Sequence, residues 1–127
     1  MPAVHLIIYR AVDGTAPLVE WMEYLRMRVP GAYAKSIAKL RLLSERGHEL
    51  RRPAADFLRD GIYELRMRQR NVNYRILYFF HGKDTAVLSH GLTKTARVPA
   101  SAIDRAIVAR TNFLAMPDLR TYAPWRS

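Results

Sequence analysis

The sequence contains no cysteine. Disulfides, thiolate nucleophiles and Cys-ligated zinc are thereby excluded, and a chain without thiols fits the reducing cytoplasm expected here. Long apolar runs are missing too. The first residues, MPAVHLIIYRAVDG, hold one short apolar stretch with no basic leader before it, so neither a signal peptide nor a membrane span is expected. His, Asp and Glu do not cluster at metal-ligand spacings, which predicts metal-independent chemistry without a cofactor. Acidic residues are scarce: 11 Asp and Glu face 21 Lys and Arg, leaving a formal charge of +10 and a pI near 10.5. An imbalance of this size points to a polyanionic partner such as nucleic acid, an acidic protein or an anionic membrane. Seventeen of the 21 cations are Arg. The guanidinium fork matches phosphate oxygens and stacks on bases, so the bias favours nucleic acid.

With 127 residues and no repeat, linker or low-complexity tract, the chain is expected to form one domain over 1–127, of which 116–127 is a C-terminal tail. Residues 4–9, VHLIIY, read as a strand closed by a turn at Asp13-Gly14. Thr15 and Pro17 suit the start of a helix whose apolar stripe is Leu18, Trp21, Met22 and Leu25. After Pro30-Gly31 a second helix carries Tyr33, Ile37, Leu40 and Leu43 or Leu42, with Gly47 as its stop. So short a connection predicts an antiparallel helix hairpin. Arg51-Arg52-Pro53 opens a loop or an irregular edge, and the chain turns β-rich from about Ile62 to Gly91. Pro99 opens a last helix with Ile103, Ala106, Ile107 and Phe113 or Leu114 inward, and the tail docks through Tyr122 and Trp125 or frays. The predicted class is α+β, with the N-terminal strand and helix hairpin packed on an antiparallel sheet and a C-terminal helix added.

Within the β-rich stretch, YELRMRQRNVNYRILYFF interleaves strand-forming residues with arginines. A two-residue turn at Asn71-Val72 places Arg68 opposite Arg75, and another at Gly82-Lys83 places Arg75 opposite His90. One face of the resulting meander then carries Arg66, Arg68, Arg70, Arg75 and His90. The other collects Tyr63, Leu65, Met67, Tyr74, Ile76, Tyr78, Phe80 and Val87 and packs on the hairpin. Leu77, Phe79 and Leu88 fall on the cationic face, so part of it must be covered by the last helix. Cross-strand like charges destabilise a sheet, and a mid-strand charge without an anionic partner is costly, so Arg66 and Arg75 are assigned to function and Arg70 reads as solvated. Glu64 shares this face and reads as the ion-pair partner of a neighbouring Arg.

DGIYELRMR, YRILYFF, VLSHGLTK and VPASAIDRAI, in that order, together with FLAMPDLRTY, resemble the RelE/ParE superfamily of bacterial toxins, most closely its phage-type HigB-like branch. The resemblance covers nearly the whole chain and is strongest from Asp60 to Tyr122. It implies the toxin of a type II toxin–antitoxin pair, most often a ribosome-associated endoribonuclease that cleaves messenger RNA and so inhibits translation. It also implies an antitoxin partner, typically a helix-turn-helix protein. Arg66 and Arg75 match the family's strand arginines, and Lys94 matches a basic residue after its HG turn. Many relatives carry two adjacent lysines after HGF, whereas here Leu92 replaces the Phe and Thr95 follows Lys94, with Arg97 placed to compensate.

Cleavage of RNA by its own 2′-hydroxyl needs in-line alignment, charge stabilisation on the phosphate and two proton transfers. Arg66, Arg75 and Lys94 suit the first two, with Arg68, Arg70 and Arg97 as further RNA contacts. Arginine is a poor base, so His90 is the candidate acid or base. Tyr63 and Tyr78 fall on the apolar face and read as core, while His5, His48 and His81 are scattered. Two alternatives share the scaffold and the charge: a ParE-like inhibitor of DNA gyrase, and a non-catalytic basic nucleic-acid-binding module. An antitoxin is expected to cover the shelf or the hairpin, where Trp21 and Tyr24 are candidate anchors.

Overall fold

The computed structural model describes residues 3–93 and 96–123. In chain order the elements are β1 (His5–Ile8), α1 (Pro17–Arg28), α2 (Pro30–Arg46), β2 (Ala55–Arg59), β3 (Ile62–Gln69), β4 (Val72–His81), β5 (Thr85–Thr93) and α3 (Ala100–Ala115), with one 3-10 turn at Gly47–Glu49. The five strands form one sheet in the order β1-β5-β4-β3-β2. All neighbours are antiparallel except β1, which runs parallel to β5. No helix among the described residues is long and apolar enough to cross a membrane.

Local chemistry sets the hairpin. The Asp13 carboxylate accepts from the Thr15 N–H at 3.0 Å and its hydroxyl at 2.7 Å, which turns the chain into α1, and Pro17 supplies a pre-set φ at its first turn. Pro30 has no N–H and pushes Val29 out of helical geometry, so a single non-helical residue separates α1 from α2. Gly47, at φ +54°, ends α2. The stripe on α1 is as expected, with Leu18 and Leu25 buried. On α2 it is rotated by one position. Ala32, Ser36 and Leu43 are buried while Ile37 is exposed. Small residues let the helix approach its neighbours closely, and the Ser36 hydroxyl is satisfied by the Ala32 carbonyl at 2.9 Å. Burial on this helix follows size more than apolarity.

The sheet is covered on both faces. The hairpin lies over one, against Leu65, Met67, Tyr74, Ile76, Tyr78 and Leu88. Helix α3 covers part of the other, where Ile103, Ala106 and Phe113 meet Ile62, Leu77, Phe79 and Val87. Of the alternatives at its end, Phe113 is buried and Leu114 exposed. Each fully buried side chain of this size contributes about 1.5–3 kcal/mol. The tail docks by its backbone: Tyr122 donates its N–H to the Ile8 carbonyl at 2.8 Å, and Thr121 bridges Tyr9, covering the outer edge of β1. Trp125 lies outside the described residues. β2 forms where Arg51-Arg52-Pro53 predicts a loop or an irregular edge.

Trp21 is held inside the fold. Its indole N–H donates to the Thr93 hydroxyl at 2.9 Å, and its ring lies over Gly91. Tyr24, by contrast, is exposed. A methyl group at Gly91 has no room beside the Trp21 ring. Gly91→Ala is therefore expected to cost about 1–3 kcal/mol by overpacking. In a Trp21→Leu background that cost shrinks, as urea midpoints will show. An equal cost in both backgrounds would place the clash elsewhere.

Candidate functional site

The arginine rows are set by turn chemistry. Gln69 pairs with Val72, so the β3–β4 turn is Arg70-Asn71, with φ of +51° and +65°, and not the expected Asn71-Val72. These angles are those of a type I′ turn, which needs positive φ at both central positions; Asn accepts this readily and a β-branched Val does not. The register moves by two residues. Faces are preserved, but the partner of Arg75 becomes Arg66 in place of Arg68, which pairs with Asn73. Arg70 sits in the turn itself and leaves the row. It lines a separate groove with Arg28, Gly31 and Tyr74 on the hairpin side.

The β4–β5 connection holds a second correction. Its turn has three residues, Gly82-Lys83-Asp84, which exchanges the faces of Val87 and Leu88: Val87 lies under α3 and Leu88 against the hairpin. A bulge at Ser89 then restores the phase. Arg75 lies opposite Leu92, and His90 lies opposite Leu77. His90 remains on the arginine face, as expected, yet it is not beside Arg75 and is only 2% exposed.

Arg66 and Arg75 thus stand directly opposite each other on one face, and their surroundings differ. Arg75 is buried at 6% exposure; its Nη1 donates to the Glu64 carboxylate at 2.5 Å and its Nη2 to the Ala96 carbonyl at 2.9 Å. Glu64 is the diagonal neighbour on β3, itself buried, so the expected ion pair is present and offsets the like-charge pairing. Arg66 is half-buried, and its guanidinium makes no hydrogen bond or ion pair among the described residues. Across from Glu64 on β2 lies Asp56, whose carboxyl is held below its usual range by the hydrogen-bonded Arg52 and, more weakly, by Arg66. Sheet geometry puts the Cα atoms of opposed residues about 4.5–5.5 Å apart, so the half-buried Arg66 rises from the sheet directly beside the clamped Arg75.

Residues 23–111 match the family model described as phage-derived protein Gp49-like (DUF891), which covers more than half of the chain. The chain belongs to this Gp49-like family. It is a family related to RelE-type toxins. No curated protein matches the chain.

In this Gp49-like protein the other candidates are dispersed. Arg68 is exposed, donating to the Asn71 side-chain carbonyl at 3.0 Å, and Arg97 is exposed one residue beyond the carbonyl that Arg75 holds. Lys94 lies outside the described residues. Tyr63 and Tyr78 stack at 5.5 Å on the hairpin face, and burial pushes the Tyr78 phenol well above its ordinary pKa. Neither reaches the arginine face. The His90 ring receives or gives a hydrogen bond at Nδ1 with the Ser89 hydroxyl at 2.8 Å, while Nε2 has no partner among the described residues. Burial, reinforced by the Arg105 charge, pushes its pKa down to about 4. It is neutral at neutral pH. Sequence reasoning missed Asp56, Arg52 and the Arg75-binding carbonyl of Ala96; the Asp60-Gly61 pair, a hairpin signal, could have revealed β2 and with it Asp56.

Two measurements follow from this geometry. Arg75→Ala leaves the Glu64 carboxylate buried without its guanidinium and is expected to destabilise the fold by roughly 3–5 kcal/mol, against less than about 0.5 kcal/mol for Arg66→Ala. Equal denaturation midpoints for the two variants would rule out the pair as a structural clamp. The His90 pKa is lower folded than unfolded, so the unfolded chain binds the extra proton. Stability from this residue is complete above about pH 6.5 and falls as pH drops toward 4, by about 3 kcal/mol. His90→Gln should flatten this part of the pH profile, and a profile unchanged by it would show that His90 titrates normally.

Proposed function

We propose that this protein is the toxin of a type II toxin–antitoxin pair, of the HigB-like branch, acting as a metal-independent endoribonuclease on messenger RNA at the ribosome. The observation that carries the reading is the direct opposition of Arg66 and Arg75 on one sheet face, in a chain of a family related to RelE-type toxins. Arg75, clamped by Glu64, is the positioning member: it fixes the local charge and ties the segment after β5 to the sheet through Ala96. Arg66 is the reachable guanidinium, and it stabilises the charge that gathers on the phosphate as the 2′-oxygen attacks and the 5′-oxygen leaves. The pair also aligns the linkage, which is a large part of what such a cleavage requires. Arg97, exposed in the segment after β5, adds charge, and Lys94, outside the described residues, is the further cation of the proposal. His90 is given no proton-transfer role, because it is buried and opposite Leu77.

A cognate antitoxin of helix-turn-helix type is part of the proposal, neutralising the basic shelf in the cell. The test is induced expression with and without the neighbouring open reading frame, with transcript ends mapped in each case. Expression alone should arrest growth and cut transcripts, and the neighbouring frame should restore growth. Arg66→Ala should retain the fold and lose about 10²–10³ in cleavage rate. Growth arrest with intact transcripts and DNA-damage signalling would replace the nuclease with a gyrase inhibitor, and harmless expression would leave only a basic binding module.

A further inference from the structure

A second cationic feature adjoins the shelf on the other side of Arg66. Because β2 begins only at Ala55, opposite Leu65, the last residues of β3 have no strand on their outer edge, and α2 passes over that end of the sheet. Between them lies an open groove of about 700 Å³. Its walls carry Lys35 and Lys39 from α2, Arg52 from the loop before β2, and Arg66 and Arg68 from β3. Lys35 and Lys39 are four residues apart, on one helix face, where like charges are mildly destabilising in a helix. No carboxylate lines the groove; the nearest compensation is Asp56, which pairs with Arg52 at 2.6 Å. The Lys35 ammonium donates to the Arg68 carbonyl at 2.6 Å, which pins α2 to the end of β3 without neutralising either charge.

No aromatic ring lines this groove. Strand-binding sites that read or stack bases use aromatic platforms, whereas cations alone follow the phosphate backbone. Arg66 lines the groove and also stands opposite Arg75, so the groove and the shelf are continuous. We infer that the groove between α2 and the end of β3 is a backbone-binding subsite for single-stranded RNA, in which Lys35, Lys39 and Arg52 hold the phosphates flanking the linkage placed at Arg66 and Arg75. The inference rests on the nuclease reading for what happens at the shelf, while the groove's ligand class rests on its own charge and lining. The groove sets affinity and salt dependence. It does not select bases.

The experiment titrates a labelled single-stranded oligoribonucleotide of mixed sequence into the full chain over a series of salt concentrations, for the wild type, Lys39→Gln, Lys35→Gln/Lys39→Gln and Lys83→Gln. Each phosphate contact removed should lower the slope of log affinity against log salt by about 0.7, and the double variant should bind on the order of tenfold more weakly. Lys83, in the β4–β5 turn at the far end of the sheet, is the control and should leave the slope as it is. Lys39→Gln guards against loss of the Lys35–Arg68 contact, because Lys39 makes no hydrogen bond among the described residues. A wild-type slope in both groove variants overturns the subsite, whether or not RNA is still cut. So does normal RNA binding combined with weakened capture of the neighbouring frame's product, which would make the groove a seat for an acidic protein. A lowered slope together with RNA that the wild type never cuts upholds the subsite and removes the nuclease reading.

Discussion

The Glu64–Arg75 ion pair is the contact on which the rest of this molecule depends. β4 is the middle strand and is buried almost without interruption from Tyr74 to Phe79, so a charge placed there must be neutralised inside the protein. Glu64 does so from the diagonal position on β3, and the Ala96 carbonyl takes up a second guanidinium nitrogen. A buried pair of this kind is weak evidence for net stability, since desolvation of both ions opposes their attraction. Its effect lies in arrangement. With Arg75 balanced by Glu64, the positive charge left over on this face belongs to the half-buried Arg66 and the exposed Arg68, which solvent and ligands can reach.

What stays open on that face is decided by α3. The helix covers Ile62, Leu77, Phe79 and Val87, leaving the rows of Glu64, Arg66, Arg68, Asn73 and Arg75 beyond its reach. The division runs along single strands: Ile62 and Arg66 share a face of β3, Leu77 and Arg75 a face of β4, and in each case the apolar residue lies under the helix. Truncation of β2 has a similar effect at the edge, where the missing strand leaves room for the basic groove beneath α2. One surface therefore presents a partly neutralised shelf beside a strongly cationic channel.

Much of this was legible in the sequence. Element order, the hairpin, the stops at Pro30 and Gly47, the cover of α3 over Leu77 and Phe79, and the common face of Arg66 and Arg75 all follow from periodicity and breaker residues. Parity survived because the turn error was two residues, which moves every pairing without exchanging faces. Three things did not show. The burial of Ser36 is one, since an apolar stripe does not mark a hydroxyl that returns to the Ala32 carbonyl of its own helix. β2 is five residues long, with Asp56 and Arg59 among them, and lacks the apolar alternation that marks a strand. The difference between a clamped Arg75 and a reachable Arg66 depends on burial, which no local pattern encodes for two residues of one type.

The placement of His90 shows how a strand can be read correctly in phase yet wrongly in partner. A three-residue turn after His81 puts β5 out of step with β4, and taken alone it would send His90 to the hairpin side. The bulge at Ser89 adds the compensating residue. Leu88 can then face the hairpin while His90 and Leu92 return to the arginine face, two irregularities cancelling within eight residues of strand pairing. The turn and the bulge together fix the chemistry of the histidine: they set His90 opposite Leu77, two residues along β4 from Arg75, under the influence of Arg105 from α3. An imidazole in that place serves packing and resists protonation. The same strand thus supplies a neutral filler where the helix covers it.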